Sequence, residues 1–416
     1  MRIIIGELKK IWNIKIIGII IVLCAIYFSL YLIDDIRWYR SGGPWGNIYF
    51  AHHLTENYGT SLSLEDFEDF LNYRYVIVAQ LEPFFLENAF FAEMGIRGYD
   101  DLFEFRQYYG LRYEHLSDEE QRLFHAASLE LGYIVRTERY GDLVSENETP
   151  EAYNRMRAFS NIVGLYETNI IGEADWPPFI NSFMEHHPLT ESEYRRLAQI
   201  RDSGELTNIM TQHTLWHTRR YARNLAALVV FVTLVLVSSL VTFDRASKVN
   251  WLQYSCKQGR RIFSKQLLAV LVSAVGVTTI LVAVFAGIFA VTTGVHGFWH
   301  NGINSFLGGG SFHWLSITYW QYWLLMVGVM YMLSIGAAAL AFVLSRFSNN
   351  MIRLIFKLIP LLVAAVTLSN RALDDFLAIY YGGNAIVQAG MLVLALAAGI
   401  VISAITVCRE KHVELM

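Results

Sequence analysis

The chain has 416 residues, of which 54% are hydrophobic, with a mean hydropathy of +0.34 and a formal net charge of −4. That length exceeds one small domain and that apolarity exceeds the usual soluble range, so the composition points to a polytopic membrane protein with an all-α fold. The small net charge conceals an uneven distribution: all eight lysines (Lys9, Lys10, Lys15, Lys248, Lys257, Lys265, Lys357 and Lys411) fall in segments read as cytoplasmic. The three cysteines, Cys24, Cys256 and Cys408, lie in or beside membrane helices or in an inner loop, which leaves the large outer segment without a disulfide.

At the amino terminus, Arg2, Lys9, Lys10 and Lys15 precede the uncharged run Ile16 to Ile33. No small-residue cleavage site precedes Asp34, and Leu23 before Cys24 spoils a lipoprotein box, so the run is read as an uncleaved first span with the amino terminus inside. Ahead of it, Met1 to Asn13 carries Ile3, Ile4, Ile5, Leu8, Ile11 and Trp12 in a pattern that predicts an amphipathic helix along the inner membrane surface.

From Asp34 to about Arg223 the hydrophobic spans stop. Between Asp34 and Arg220 there are 31 acidic residues against 16 arginines and no lysine, which marks an acidic outer domain. Its boundary signals are helical. Ser63 with Asp66, Ser117 with Glu120 and Thr190 with Glu193 have capping-box spacing, and Thr149 before Pro150 reads as cap then first turn. Phe67, Phe70, Leu71 and Tyr75, and likewise Tyr153, Met156, Phe159 and Val163, recur at helical spacing and are expected to form a core. The helix starting at Thr190 is expected to run on through Arg219, Arg220 and Arg223 into the second span. Those three arginines oppose the positive-inside rule on the outer side.

Two runs, Leu225 to Phe243 and Leu267 to Val291, are each long enough to cross a hydrocarbon core of about 30 Å. Between them the loop Asp244 to Lys265 holds six cations, Arg245, Lys248, Lys257, Arg260, Arg261 and Lys265, against the single acid Asp244, and is therefore placed in the cytosol. Asp244 can cap a short amphipathic helix through Val249, Leu252 and Cys256, which Gly259 would end. Such a helix either adsorbs on anionic lipid headgroups or forms a docking surface for a cytosolic protein.

Further on, Thr292 to Ile317 is a neutral, glycine-rich and aromatic loop suited to an outer interface. The fourth span, Tyr319 to Leu344, opens on an aromatic belt and carries Gly328, Gly336, Ala337 and Ala339, small residues that let helices approach. Arg346, Arg353 and Lys357 mark the next inner loop. The fifth span, from Lys357 to Arg371, rises only about 21 Å as a helix, so Lys357 must snorkel or the span must be irregular near Pro360. Leu373 to Tyr381 is expected to be a surface or re-entrant helix. The sixth span, Ala385 to Val407, leads to Arg409, Lys411 and an inner carboxyl terminus. The domains are therefore residues 1–33 (entry helix and first span), 34–223 (extracytoplasmic helical domain) and 224–416 (spans two to six, with cytoplasmic loop 244–265).

Lys257, Gly259, Arg260 and Lys265, followed by Gln266, Leu267, Leu268 and Ala269, resemble the cytoplasmic loop of bacterial ABC-2 type permeases. The entry helix, the six-span topology and the outer segment between spans five and six are similar too; the outer domain is not. The resemblance implies a permease subunit, read as an exporter in the cell membrane. It would pair with a second permease subunit, identical or related, and be driven by a separate cytosolic ATPase that packs against the inner loop. Arg245, Lys257, Gly259, Arg260, Arg261 and Lys265 are the candidate coupling residues.

The residues narrow the energy source by omission. Spans one, two, three, four and six contain no Asp, Glu, Lys or Arg as drawn, which argues against ion coupling. There is no Walker A pattern, so ATP is expected on a partner subunit, with no cofactor on this chain. HExxH and GxSxG are absent as well, and no catalytic residue is assigned. Two histidine pairs, His213 with His217 and His296 with His300, together with His313, permit a shared metal by spacing, but no carboxylate or cysteine completes a set, and none is assigned. Membrane lipid is an expected partner and nucleic acid is not. The acidic outer domain would attract cationic peptides or serve solubility alone. A membrane sensor or assembly factor with a ligand-binding outer domain is the rival reading.

Overall fold

The computed structural model describes residues 2–40, 47–131, 135–137, 141–143, 151–172, 189–246, 262–309, 311–348, 350–374, 376–379 and 385–412. The fold is all-α, and the only β-strands among the described residues form a short antiparallel hairpin pairing Val135–Thr137 with Gly141–Leu143. The chain divides into two compact units, one of residues 1–41 and 184–416, the other of residues 42–183.

In the first unit, helix α1 (Arg2–Ile11) ends at Trp12, and Asn13 restarts the chain by accepting the Lys15 backbone N–H on its side chain. Helix α2 (Ile14–Arg40) passes through a π-helical turn at Phe28–Leu32 and continues beyond the expected end at Ile33. Six helices are long and apolar enough to cross a membrane: α2 and five further on in the chain. The second of them runs Gln212–Ala246, the third Ile262–Thr293, the fourth Tyr319–Arg346, the fifth Met351–Leu373 and the last Ala385–His412.

The second unit is built from helices α3 (Asn47–Tyr58), α4 (Leu64–Glu87), α5 (Ala89–Glu93), α6 (Tyr99–Leu111), α7 (Asp118–Glu130) and α8 (Glu151–Tyr166). Ser63 with Asp66 opens α4 and Ser117 with Glu120 opens α7, both as complete capping boxes. The core is aromatic. Phe67 stacks on Tyr166 with ring centroids 4.1 Å apart, and Phe70 meets Phe159 at 4.9 Å and Phe50 at 6.0 Å. Tyr153 and Met156 are buried as expected, whereas Leu71 and Tyr75 face outward and Val163 is half-buried. Thr149 and Pro150 lie outside the described residues.

Back in the first unit, Thr190 and Glu193 form the third capping box and open α9 (Glu191–Asp202). Contrary to the expectation, α9 does not run into the second span. Gly204 takes a left-handed conformation at φ +76°, a 3-10 turn follows at Glu205–Thr207, and a separate helix α10 (Gln212–Ala246) begins. Helices α11 (Ile262–Thr293), α12 (Tyr319–Arg346), α13 (Met351–Leu373) and α14 (Ala385–His412) complete the bundle, with α12 packed against each of α10, α11, α13 and α14.

At the crossing of α12 and α14, a Cβ on Gly399 would meet the Gly336 carbonyl oxygen at 2.9 Å, so the glycine permits the contact. Helix α13 is longer than drawn from sequence, 23 residues and therefore about 35 Å, and Lys357 turns back to donate to the Phe347 carbonyl at 2.7 Å. The expected helix at Leu373 to Tyr381 is also corrected. After Asp374 the described residues 376–379 are not helical, because they pair with the loop after α11: Trp314 N–H donates to Leu377 O and Ile379 N–H to Phe312 O, both at 2.9 Å.

Candidate functional site

Helix α1 is held against the start of α11 by polar contacts that its amphipathic sequence does not announce. Glu7, buried on the apolar side of α1, accepts from Gln266 Nε2 at 3.3 Å and pairs with Lys10 at 3.0 Å. One turn further on, Trp12 Nε1 donates to Ser273 Oγ at 3.1 Å, and its ring lies against Gly276. Phe263, in the first turn of α11, is buried under the Arg346 guanidinium, 3.9 Å from its ring centroid. The amino-terminal helix is thereby fixed at the residue next to Lys265, which is half-buried. Of the other candidate coupling residues, Arg245 lies in the last turn of α10. Lys257, Gly259, Arg260 and Arg261, with the helix expected around Val249 to Cys256, lie outside the described residues.

At the other end of the bundle the three arginines that seemed misplaced each meet a partner element. Arg220 pairs with Asp35 at 2.7 Å, and Asn224 Nδ2 donates to the same carboxylate at 2.7 Å. Tyr27 adds a hydroxyl donated to Asn224 O at 3.1 Å. Asp35 has no exposed surface, so its charge depends on these contacts. Arg223 pairs with Asp374 at 2.8 Å, which joins α10 to the end of α13. Arg219 is buried close to His313 of the loop after α11, whose charged form it disfavours. One and a half turns of α10 thus latch α2 and the end of α13 and lie beside the loop after α11.

Around this latch, the loop and α9 form a hydrogen-bonded cap. Arg196 donates to both Glu205 oxygens, at 3.3 and 3.1 Å, and to Ser316 Oγ at 3.0 Å. Glu205 also accepts from Asn304 Nδ2 at 2.6 Å and from Ser316 at 2.7 Å. Burial pushes the Glu205 carboxyl up, but the hydrogen bonds from Ser316, Asn304 and Arg196 and the Arg196 charge outweigh it and hold it below the usual carboxylate range. His313 is fully buried; desolvation first, and then the charges of Arg219 and Arg196, push it down to about 3, so it stays neutral in any ordinary medium. Within the bundle, Ser334 is bonded to Thr233 at 2.9 Å and to Thr278 at 2.8 Å, a hydroxyl knot shared by three spans.

No family model, curated protein or solved structure matches the chain. The arrangement therefore stands on its own geometry. Among the described residues no three His, Cys, Asp or Glu side chains gather as metal ligands; His213 and His217 stack with centroids 6.2 Å apart, and His296 is turned to its own backbone at Ala290 O. The latch was missed in the sequence because its partners are distant in the chain. Two signals pointed to it: an acid pair immediately after a charge-free run, and three arginines on the side read from sequence as outer, where the charge rule disfavours them.

Proposed function

We propose that the chain is the membrane-spanning permease subunit of an ATP-driven transporter, with the amino-terminal helix, the inner loop and both termini in the cytosol and residues 42–183 outside. The observation that carries this reading is the docking of α1 on α11 through Glu7, Gln266, Trp12 and Ser273. It supplies a rigid platform beside the loop that links the second and third spans, where a moving cytosolic subunit can push on the bundle. Outward, the Asp35–Arg220 and Arg223–Asp374 pairs supply the kind of contact that a transport cycle exchanges between two states. The energy comes from a separate ATPase and the permease pairs with a second permease subunit. Arg245, Lys257, Gly259, Arg260, Arg261 and Lys265 are proposed to form the coupling surface.

The test is recovery of the tagged protein from its own membranes in mild detergent, with ATP hydrolysis measured on the eluate. A co-purifying ATPase lost on the double change Arg260→Glu and Arg261→Glu is expected. A preparation free of ATPase after crosslinking would overturn the permease reading in favour of a membrane sensor.

A further inference from the structure

Helices α12, α13 and α14 leave a cavity of about 120 Å³ between them, near the middle of the spans. The space exists because small residues stand where the helices face one another: Gly336 and Ala337 on α12, Ala364 and Ala365 on α13, and Ala395 on α14. Ala364 is exposed, so the cavity opens on the surface of the bundle. In a membrane that surface meets hydrocarbon.

The stripe of α13 that forms one wall carries cations toward its start. Arg353, Lys357, Leu361, Ala364 and Leu368 follow one another at intervals of four, four, three and four, so they share one face of the helix. Leu361 and Leu368 line the cavity and lie about 6 and 17 Å along the axis from Lys357. Arg353 is exposed, and Lys357 uses one of its three N–H donors on the Phe347 carbonyl at 2.7 Å, which draws the ammonium back toward the start of α13. No Asp or Glu occurs between Arg346 and Leu373, so nothing in that segment neutralises the two charges.

Two cations at the head of an apolar trough repeat the layout of a phospholipid, a phosphate followed by an acyl chain. A second copy of the chain fits this face less well. Related by a two-fold axis along the membrane normal, it would bring its own Arg353 and Lys357 to the same depth, like charge against like. We propose that this face holds one anionic phospholipid, its phosphate at Arg353 and Lys357 and a stretch of acyl chain in the cavity. The proposal rests on the helices lying in a membrane and is independent of the permease reading, since binding is measured without an ATPase.

The full chain in detergent is titrated with phosphatidylglycerol or with phosphatidylcholine of identical chains, and the lipid retained per chain is counted by native mass spectrometry. One tightly held phosphatidylglycerol is expected, with phosphatidylcholine weaker on the order of tenfold. Arg353→Gln should weaken phosphatidylglycerol about fivefold, and Ala364→Phe, which fills the exposed mouth of the cavity, should abolish the tight binding. Equal retention of the two lipids, a gradual uptake with no stoichiometric step, or undiminished retention by a folded Ala364→Phe variant would overturn the proposal. A lipid-free dimer that Ala364→Phe splits would assign the face to a second copy and overturn it too. If Ala364→Phe fails to fold, Arg353→Gln and the headgroup comparison still decide it.

Discussion

Both units bury large apolar side chains, but they differ in what covers them and in how their helices meet. In residues 42–183 the interior is a stack of large rings, Phe50, Phe67, Phe70, Phe159 and Tyr166, and charges cover the outside. In the bundle large apolar side chains cover the outside as well, Ile19, Ile21 and Val22 on α2, Phe356 and Val363 on α13, and Leu394 and Ile405 on α14, while others such as Phe289, Met330 and Phe342 are buried. Its interior adds small and hydroxyl residues at the helix crossings, Gly336, Gly399, Thr233, Thr278 and Ser334. Water drives rings together in the first case; in a hydrocarbon solvent nothing drives apolar groups inward, and close backbone approach with hydroxyl contacts takes over.

The sharpest way to break this contrast is at the glycine crossing. Gly399→Val should dismantle the bundle, since backbone of α12 stands where the Cβ would go, whereas Gly336→Ala meets only ordinary contacts from 3.5 Å and should be tolerated. Detergent melting curves of the two variants check it; equal losses would mean that the crossing is not the determinant. In the ring core, Phe70→Ala should cost about 3 to 5 kcal/mol, read as a lower unfolding midpoint of residues 42–183 with the bundle transition unchanged.

The buried polar cap of the bundle carries a pH signature. His313 falls from the ordinary histidine value in the unfolded chain to about 3 when folded, so the unfolded state binds the extra proton. Its contribution is destabilising as pH falls below about 6.5 and grows until pH reaches about 3. Replacing it, His313→Phe, should reduce the acid slope of stability by as much as about 1.4 kcal/mol per pH unit, measured by denaturation between pH 4 and 7. Glu205 acts in the same direction: its lowered carboxyl contributes stability above the unfolded carboxylate range that is lost as pH falls through its folded value.

The smallest effects separate the two interiors most finely. Ser63→Ala removes the cap of α4 and should cost about 1 kcal/mol, while Ser334→Ala, which breaks two interhelical hydroxyl contacts, should cost only about 0.6 kcal/mol because a membrane helix finds other partners. Thermal midpoints of the two variants decide the order.

Local signals were legible in the chain. All three capping boxes expected at Ser63, Ser117 and Thr190 are present, and each of the six apolar runs is a helix. What was missed depends on contacts across long sequence separations. Asp34 and Asp35 looked like the end of the first span, yet α2 continues because Arg220 and Asn224 reach Asp35 from 185 and 189 residues away. Leu373 to Tyr381 looked helical by its own pattern, but its described part is recruited by Phe312 and Trp314. Only the break of α9 was local. Gly204, followed by Glu205 with its distant hydrogen-bond partners, was there to be read as a helix stop. The coupling residues were read from a loop pattern, and only Arg245 and Lys265 of that set fall within the described helices.

The contact between Glu7 and Gln266 spans 259 residues. A ribosome adding about 5 to 20 residues per second needs roughly 13 to 50 s to synthesise that interval. For all of that time the partner that receives α1 does not yet exist, and the helix waits with its apolar face uncovered. Insertion of the third span is the event that ends the wait, so the amino-terminal segment is among the first parts of the unit to be made and among the last to reach its final seat. A chain stalled before residue 266 would leave that helix for a lipid surface or a chaperone to hold.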